Sequence, residues 1–140
     1  MGVLFKNTDI TIYNKYYDIE NDIDRYQRTV IEGVNWQGKR NASVTDKGLN
    51  RDDSILIFID VNSVENKQYI SPKRFNKLST EERANYFTFG LNDYIVKGQI
   101  DFDITGRKPN SSADLENEYD DVVRILGIKE WSGHWEVECK

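Results

Sequence analysis

A hydrophobic period of two runs through most of this chain and is sharpest at its C-terminal end, where His134-Trp-Glu-Val-Glu-Cys139 alternates strictly between polar and apolar residues. Successive side chains of a β-strand point to opposite faces, so Trp135, Val137 and Cys139 share one face while His134, Glu136 and Glu138 share the other. The chain has 1 His and 1 Cys. Their spacing places them on opposite sides of this strand, where they cannot act together within one subunit.

The same period recurs upstream. Asp9 to Tyr13 reads as a strand with Ile10 and Ile12 on one face, followed by an acidic loop through Asp24. Arg25 to Trp36 reads as a long strand bent at Gly33 and ending in a turn at Gln37-Gly38-Lys39. Asn41 to Thr45 can return as a short strand, with Asp46 to Asp53 as a polar loop. Ser54 to Val61 is apolar on both faces, the pattern of a central strand covered on each side by another element or by a neighbouring subunit.

Local signals beyond this point are mixed. Pro72 suits the first turn of a short helix, and Ser79-Thr-Glu-Glu82 fits a capping box that starts a helix reaching about Phe87. Asn92-Asp93 marks a turn and Tyr94 to Gly98 a short strand. Ile100, Phe102 and Ile104 alternate with polar residues and predict another strand, with Gly98 as the corner between the two. Lys108 to Ser112 reads as a turn, and Asp114 to Tyr119 as a helical turn with Ser112 near its cap. Asp121 to Ile128 and His134 to Cys139 are the closing strands, joined through Ser132-Gly133. About seven or eight strands without regular strand-helix alternation predict a mainly β single domain over 1–140. The expected form is a small antiparallel β-barrel or sandwich with one or two short helices and long loops.

Composition narrows the function classes. A single cysteine cannot form an intramolecular disulfide, which points to synthesis inside the cell. The first residues lack the apolar core of a signal peptide, and no stretch approaches the roughly 20 apolar residues of a membrane-spanning helix, so a soluble protein without a membrane partner is expected. With 24 acidic and 19 basic residues the net charge is −5. No basic stripe offsets it, which disfavours a sequence-specific nucleic-acid reader. Asp18, Glu20, Asp22 and Asp24 sit at alternate positions, as in a calcium loop, but the glycine and the terminal glutamate of such a loop are missing. The run reads as solvated surface, as does the acidic group Asp114, Glu116, Glu118, Asp120 and Asp121.

Catalytic patterns are also missing from the sequence. The glycines at 98, 106 and 127 are too scattered for a phosphate-cradling loop. His134 has no serine in a nucleophile-elbow setting, and Cys139, beside Trp135 and Val137, reads as a small buried hydrophobe rather than a thiolate. One His and one Cys fall short of a zinc site. Asp101 and Asp103 share a strand face, which leaves a small carboxylate-dependent hydrolase as a minor alternative. No catalytic, cofactor-binding or metal-ligating residue is assigned, and the chain is read as a non-enzyme. Its abundant aromatic residues, among them Tyr13, Trp36, Tyr69, Tyr94, Trp131 and Trp135, serve mostly as core, with the remainder available to an interface or a carbohydrate-binding face.

Thr11-Ile-Tyr-Asn-Lys-Tyr-Tyr17, Arg28-Thr-Val-Ile-Glu-Gly-Val-Asn-Trp36, Tyr94-Ile-Val-Lys-Gly98 and the stretch from Tyr119-Asp-Asp-Val-Val to His134-Trp-Glu-Val137 resemble small structural proteins of tailed phages and prophages of Gram-positive hosts. The resemblance implies a virion protein of the head-to-tail connector or neck, of head-completion or stopper type. It further implies a homo-oligomeric ring made in the host cytoplasm, contacts with portal or adaptor and with tail-terminator or tail-tube proteins, and non-specific contact with genomic DNA in the channel. A tail terminator, baseplate or receptor-binding module is the alternative within the same resemblance.

Overall fold

The computed structural model describes residues 5–39, 42–45, 48–51, 54–64 and 66–140. Its strands are β1 (Thr8–Asp18), β2 (Ile23–Lys39), β3 (Ala42–Thr45), β4 (Gly48–Arg51), β5 (Ser54–Asp60), β6 (Gln68–Tyr69), β7 (Tyr86–Phe87), β8 (Tyr94–Lys97), β9 (Val122–Glu130) and β10 (His134–Cys139). The helices are α1 (Pro72–Lys77), α2 (Thr80–Arg83) and α3 (Ser112–Glu118). Strands β1-β2-β5-β10-β9-β8 close into an antiparallel barrel, with β8 pairing back onto β1. The expected β-barrel is thus present, with three short helices among the described residues instead of one or two.

The barrel interior follows from the alternation. Ile10 and Ile12 of β1, Ile31 and Val34 of β2, Ile57 and Ile59 of β5, Ile125 of β9, and Val137 and Cys139 of β10 are buried together with Phe87, Phe89 and Trp135. Closure pairs each of these strands on both sides over part of its length, and among the described residues the first part of β2, from Ile23 to Val34, pairs with β1 alone. Two bulges bend the wall. Thr8 faces Val34 and Ile10 faces Ile31, so β2 carries one extra residue there. Gly33 takes up the kink at φ 75° while its N–H donates to Asp9 Oδ1 at 2.8 Å. Glycine tolerates that left-handed backbone, as bulges of this kind require. The second bulge lies where Glu138 faces Gly127 and Cys139 faces Ile125.

Several elements differ from the sequence expectation. The acidic stretch is not a loop through Asp24: β1 continues to Asp18 and β2 begins at Ile23, leaving a tight hairpin at residues 19–22. The turn expected at Gln37-Gly38-Lys39 is strand, because those residues pair with Leu56, Ile55 and Ser54 of β5. Part of the polar 46–53 segment forms β4, which pairs with β3; residues 46, 47, 52 and 53 lie outside the described set. The helix begun at Ser79 stops at Arg83, and Tyr86–Phe87 instead forms a short parallel pair with β6. Ser111, rather than Ser112, caps α3, its hydroxyl accepting from the Asp114 N–H in a reciprocal box.

The most instructive difference concerns residues 99–105. Ile100 and Phe102 are half-buried, Ile104 is buried and the residues between them are exposed, so the alternation is real. No ladder forms, because β1 and β8 already pair with each other along this wall. The segment instead crosses the outer face of the barrel. Thr11 Oγ1 donates to the Gly98 carbonyl at 2.8 Å and accepts from the Ile100 N–H at 3.1 Å. The Tyr13 hydroxyl donates to the Phe102 carbonyl at 2.5 Å. Tyr13, Tyr94, Val96, Ile104 and Leu115 of α3 form a second apolar cluster under this cover. Strand β1 is consequently buried on both faces from Ile10 to Asn14. Strand β5, expected to be covered on both sides, is central between β2 and β10 but leaves Leu56 and Phe58 only half-buried on its outer face.

Candidate interaction surface

Strand β10 is the frame for the residues singled out by the sequence. Paired between β5 and β9, it turns Trp135, Val137 and Cys139 into the barrel and leaves His134 and Glu136 half-buried and Glu138 exposed on the outside. Burial, reinforced by neighbouring Glu138, pushes the Cys139 thiol up to about 12, so it stays protonated at neutral pH. Trp135 packs against the rings of Tyr69, Phe87 and Phe89 at centroid separations of 5.2, 5.9 and 5.4 Å. His134 and Cys139 are therefore separated by the barrel wall.

Outside that wall, His134 joins two other rings. The Trp131 indole stacks on it with centroids 6.2 Å apart and planes 16° apart, and Phe58 lies 6.1 Å away at 44°. Trp131 is held in place by its own backbone, whose N–H donates to the His134 carbonyl at 2.9 Å, yet its side chain remains 56% exposed. A large aromatic left this open on a strand connection is characteristic of a contact surface.

The acidic run builds a second feature. Asp18 accepts from the backbone N–H of Glu20 at 3.1 Å, from Asn21 Nδ2 at 2.8 Å and from Arg25 Nε at 2.6 Å. The bonds from Asn21 and Arg25 hold its carboxyl down at about 2. Asp22 accepts from the Tyr17 hydroxyl, and Asp24 pairs with Lys15 at 3.4 Å. These carboxylates organise a hairpin, not a calcium loop, and among the described residues no cluster of His, Cys, Asp and Glu is arranged to hold a metal ion. Between the acids, Ile19 is 82% exposed, with Tyr17 and Ile23 also open to solvent. Two isoleucines within an otherwise polar turn were the available sequence signal for this apolar tip.

The remaining sequence candidates are occupied by structural roles. Asp103 pairs with Arg28 Nε at 2.9 Å, so it does not form a free dyad with exposed Asp101. Asp114 is taken by the α3 cap, and Glu116 pairs with Arg124 at 3.0 Å. The two apolar patches are separated along β2, since Ile23 opens that strand and Asn35, twelve residues later, faces Phe58. At about 3.3 Å per residue this is roughly 40 Å of strand.

No curated protein and no solved structure gives a significant match to this chain. A family described as "Family of unknown function (DUF6751)" matches residues 5–140. Because that match takes in the whole barrel, from β1 to β10, the chain belongs to the family of unknown function DUF6751.

Proposed function

We propose that this chain is a ring-forming subunit of a tailed-phage neck, a connector of head-completion or stopper type that joins the capsid portal to the tail. The observation that carries this reading is the pair of unlike apolar patches set apart along β2: the Tyr17–Ile19–Ile23 hairpin tip and the Phe58–His134–Trp131 strip. Two different patches on one subunit suit heterologous, head-to-tail contacts, and such contacts generate closed rings when the rotation closes. The half-covered outer face of β5 adds apolar area beside the strip. A net charge of −5 suits a channel through which nucleic acid must pass without sticking. The resemblance of the strand motifs to phage structural proteins supplies the choice of assembly, with a portal or adaptor protein on one side and a tail-terminator or tail-tube protein on the other.

Trp131 also favours a second reading. An exposed indole backed by an imidazole is a platform on which a sugar ring can stack, as a receptor-binding or baseplate module would use it. Negative-stain microscopy and light scattering on the chain, alone and co-expressed with portal and tail-tube proteins of a tailed phage of a Gram-positive host, distinguish the two. Closed rings, alone or seated on a partner, are the expected result. A chain that remains monomeric alone and with those partners overturns the neck assignment, and saturable glycan binding by that monomer would favour the second reading.

A further inference from the structure

The part of β2 that pairs with β1 alone carries a row of unused backbone groups. The Gly98 N–H donates to the Asp9 carbonyl and the Lys15 N–H to Asp93 Oδ1, so odd-numbered residues of β1 direct their backbone toward β8 and the turn before it. Even-numbered Ile10, Ile12 and Asn14 are left to bond their β2 partners Ile31, Thr29 and Gln27. Backbone direction alternates along an antiparallel strand, so Tyr26, Arg28 and Val30 turn their N–H and C=O groups away from β1. The Arg28 carbonyl accepts from Lys67 Nζ at 3.4 Å on that side. Among the described residues, no backbone acceptor meets these three N–H groups. A groove of about 650 Å³ runs alongside, lined by Arg28, Thr29 and Val30 of β2 and by Ser63, Val64 and Lys67 of the connection after β5. The Ser63 hydroxyl is buried in that lining without a hydrogen-bond partner. An extended backbone laid in the groove supplies what both the edge and the hydroxyl lack.

A second element also lacks a strand partner. Among the described residues β3 and β4 pair only with each other, in a ribbon that joins neither the barrel nor the β6–β7 pair. A two-stranded hairpin alone is marginally stable in water and gains from a third strand. The ribbon of the same chain falls short of the groove. Thr45, the far end of β3, lies 45 − 39 = 6 residues beyond Lys39, about 20 Å of extended chain. Val30 lies 39 − 30 = 9 residues back along β2, about 30 Å away. The ribbon that fits the groove therefore comes from a second copy.

We propose that the β3–β4 ribbon of one subunit adds as a further strand to the free edge of β2, around Arg28 and Val30, of a neighbouring copy. Ribbon and edge are different parts of the chain, so the contact is head-to-tail. It deepens the ring reading, on which it rests, by naming the backbone contact between neighbours. Main-chain hydrogen bonds make the contact, as in other cases of strand addition. Lys67 Nζ yields the Arg28 carbonyl to an incoming N–H. In the lone subunit that lysine guards the edge, a common use of charged side chains on unpaired strands.

Residue-resolved hydrogen exchange tests it, comparing the dilute monomer with the associated chain, alone or with portal and tail-tube partners. The Tyr26, Arg28 and Val30 amides should exchange at least about tenfold more slowly on association, with Gln27 and Thr29, bonded to β1 in both forms, as internal reference. Val30→Cys mixed with Ser43→Cys or with Asn50→Cys should form an intersubunit disulfide under mild oxidation in at least one mixture; the native Cys139 is buried and does not compete. Replacing residues 42–51 by a short Gly-Ser linker should leave the barrel's melting close to that of the parent and weaken association at least about tenfold. Rings whose three edge amides stay unprotected and whose mixtures do not cross-link overturn the proposal and leave the ring reading standing. So does Val30→Cys joined to itself in place of the ribbon variants. A chain that stays monomeric with and without those partners overturns both. Cross-linking through the ribbon without closed rings supports the edge contact and overturns the ring.

Discussion

The Arg83 guanidinium lies over the Tyr16 ring, with its Cζ 4.1 Å from the ring centroid. Arg83 is only 3% exposed, and its charge is met by dipoles: Nε donates to the Phe75 carbonyl at 3.0 Å and Nη2 to the Leu78 carbonyl at 2.5 Å. These carbonyls lie at the end of α1 (six residues), where a helix runs out of its own N–H donors; the Phe75 carbonyl also accepts from the Leu78 N–H at 3.4 Å. A single side chain from α2 thus caps α1 and clamps both helices onto β1, where Tyr16 meets Phe75 edge-on at 6.5 Å.

Arg83→Lys should therefore not behave as a conservative change. A lysine keeps the charge but lacks the planar fork and the stacking surface, and the substitution should destabilise folding by about 1–3 kcal/mol. Urea unfolding curves measure this. A variant within about 0.5 kcal/mol of the parent would show that the clamp is dispensable.

Trp135 and His134 are adjacent in sequence but lie on opposite sides of the barrel wall. Trp135→Ala removes the centre of the Tyr69, Phe87 and Phe89 ring cluster and should cost about 3–5 kcal/mol. His134→Ala should cost less than about 1 kcal/mol, because its ring contacts lie on the outer face. Thermal and chemical denaturation of the two variants give the comparison, and the reverse order would contradict the assigned faces.

Trp131→Ala separates folding from assembly. The bond that shapes the β9–β10 connection is made by the Trp131 backbone and survives the substitution. Stability should change by less than about 0.5 kcal/mol, while self-association or partner binding weakens in sedimentation velocity. Unchanged association would remove the aromatic strip from the interface.

Asp93 should give the stability profile a distinctive pH dependence. Burial raises its carboxyl from 3.8 to about 6, against the opposing effect of N–H donors from Asn14, Lys15 and Gly90. A carboxyl whose folded pKa exceeds its unfolded value binds its proton more tightly when folded. Its contribution is then fully present below about pH 4 and is lost as pH rises through about 6. The shift of 6 − 3.8 corresponds to up to about 3 kcal/mol. Asp18 acts oppositely and in a lower window: held at about 2, its contribution is present above 3.8 and is lost as pH falls toward 2. Urea titrations across about pH 4 to 6.5 should show the parent losing stability relative to Asp93→Asn. Parallel profiles would refute the assignment.

Much of the barrel was legible because its signals are local. Alternation in β10 sorted Trp135, Val137 and Cys139 from His134, Glu136 and Glu138, and Ser79 marked the start of α2 correctly. Misreadings arose where a distant partner decided the outcome. Gln37 to Lys39 has the composition of a turn but extends β2 because β5 supplies the hydrogen bonds. The candidate surface was less visible still: exposure of Ile19 and Trp131 depends on what does not pack over them, which no spacing encodes.

The sequence by itself determined which faces of the strands are apolar, where short helices can start, and that charge and reactive residues are arranged without a recognisable catalytic pattern. Only the tertiary structure decided that six of the strands close on one another. It also decided that residues 99–105 lie over β1 instead of pairing, and that Arg83 is drawn out of water against backbone carbonyls and a ring. The physical reason is common to all three. Side-chain direction is a property of adjacent residues, whereas strand pairing, burial and the fate of a charge depend on groups far apart in the chain.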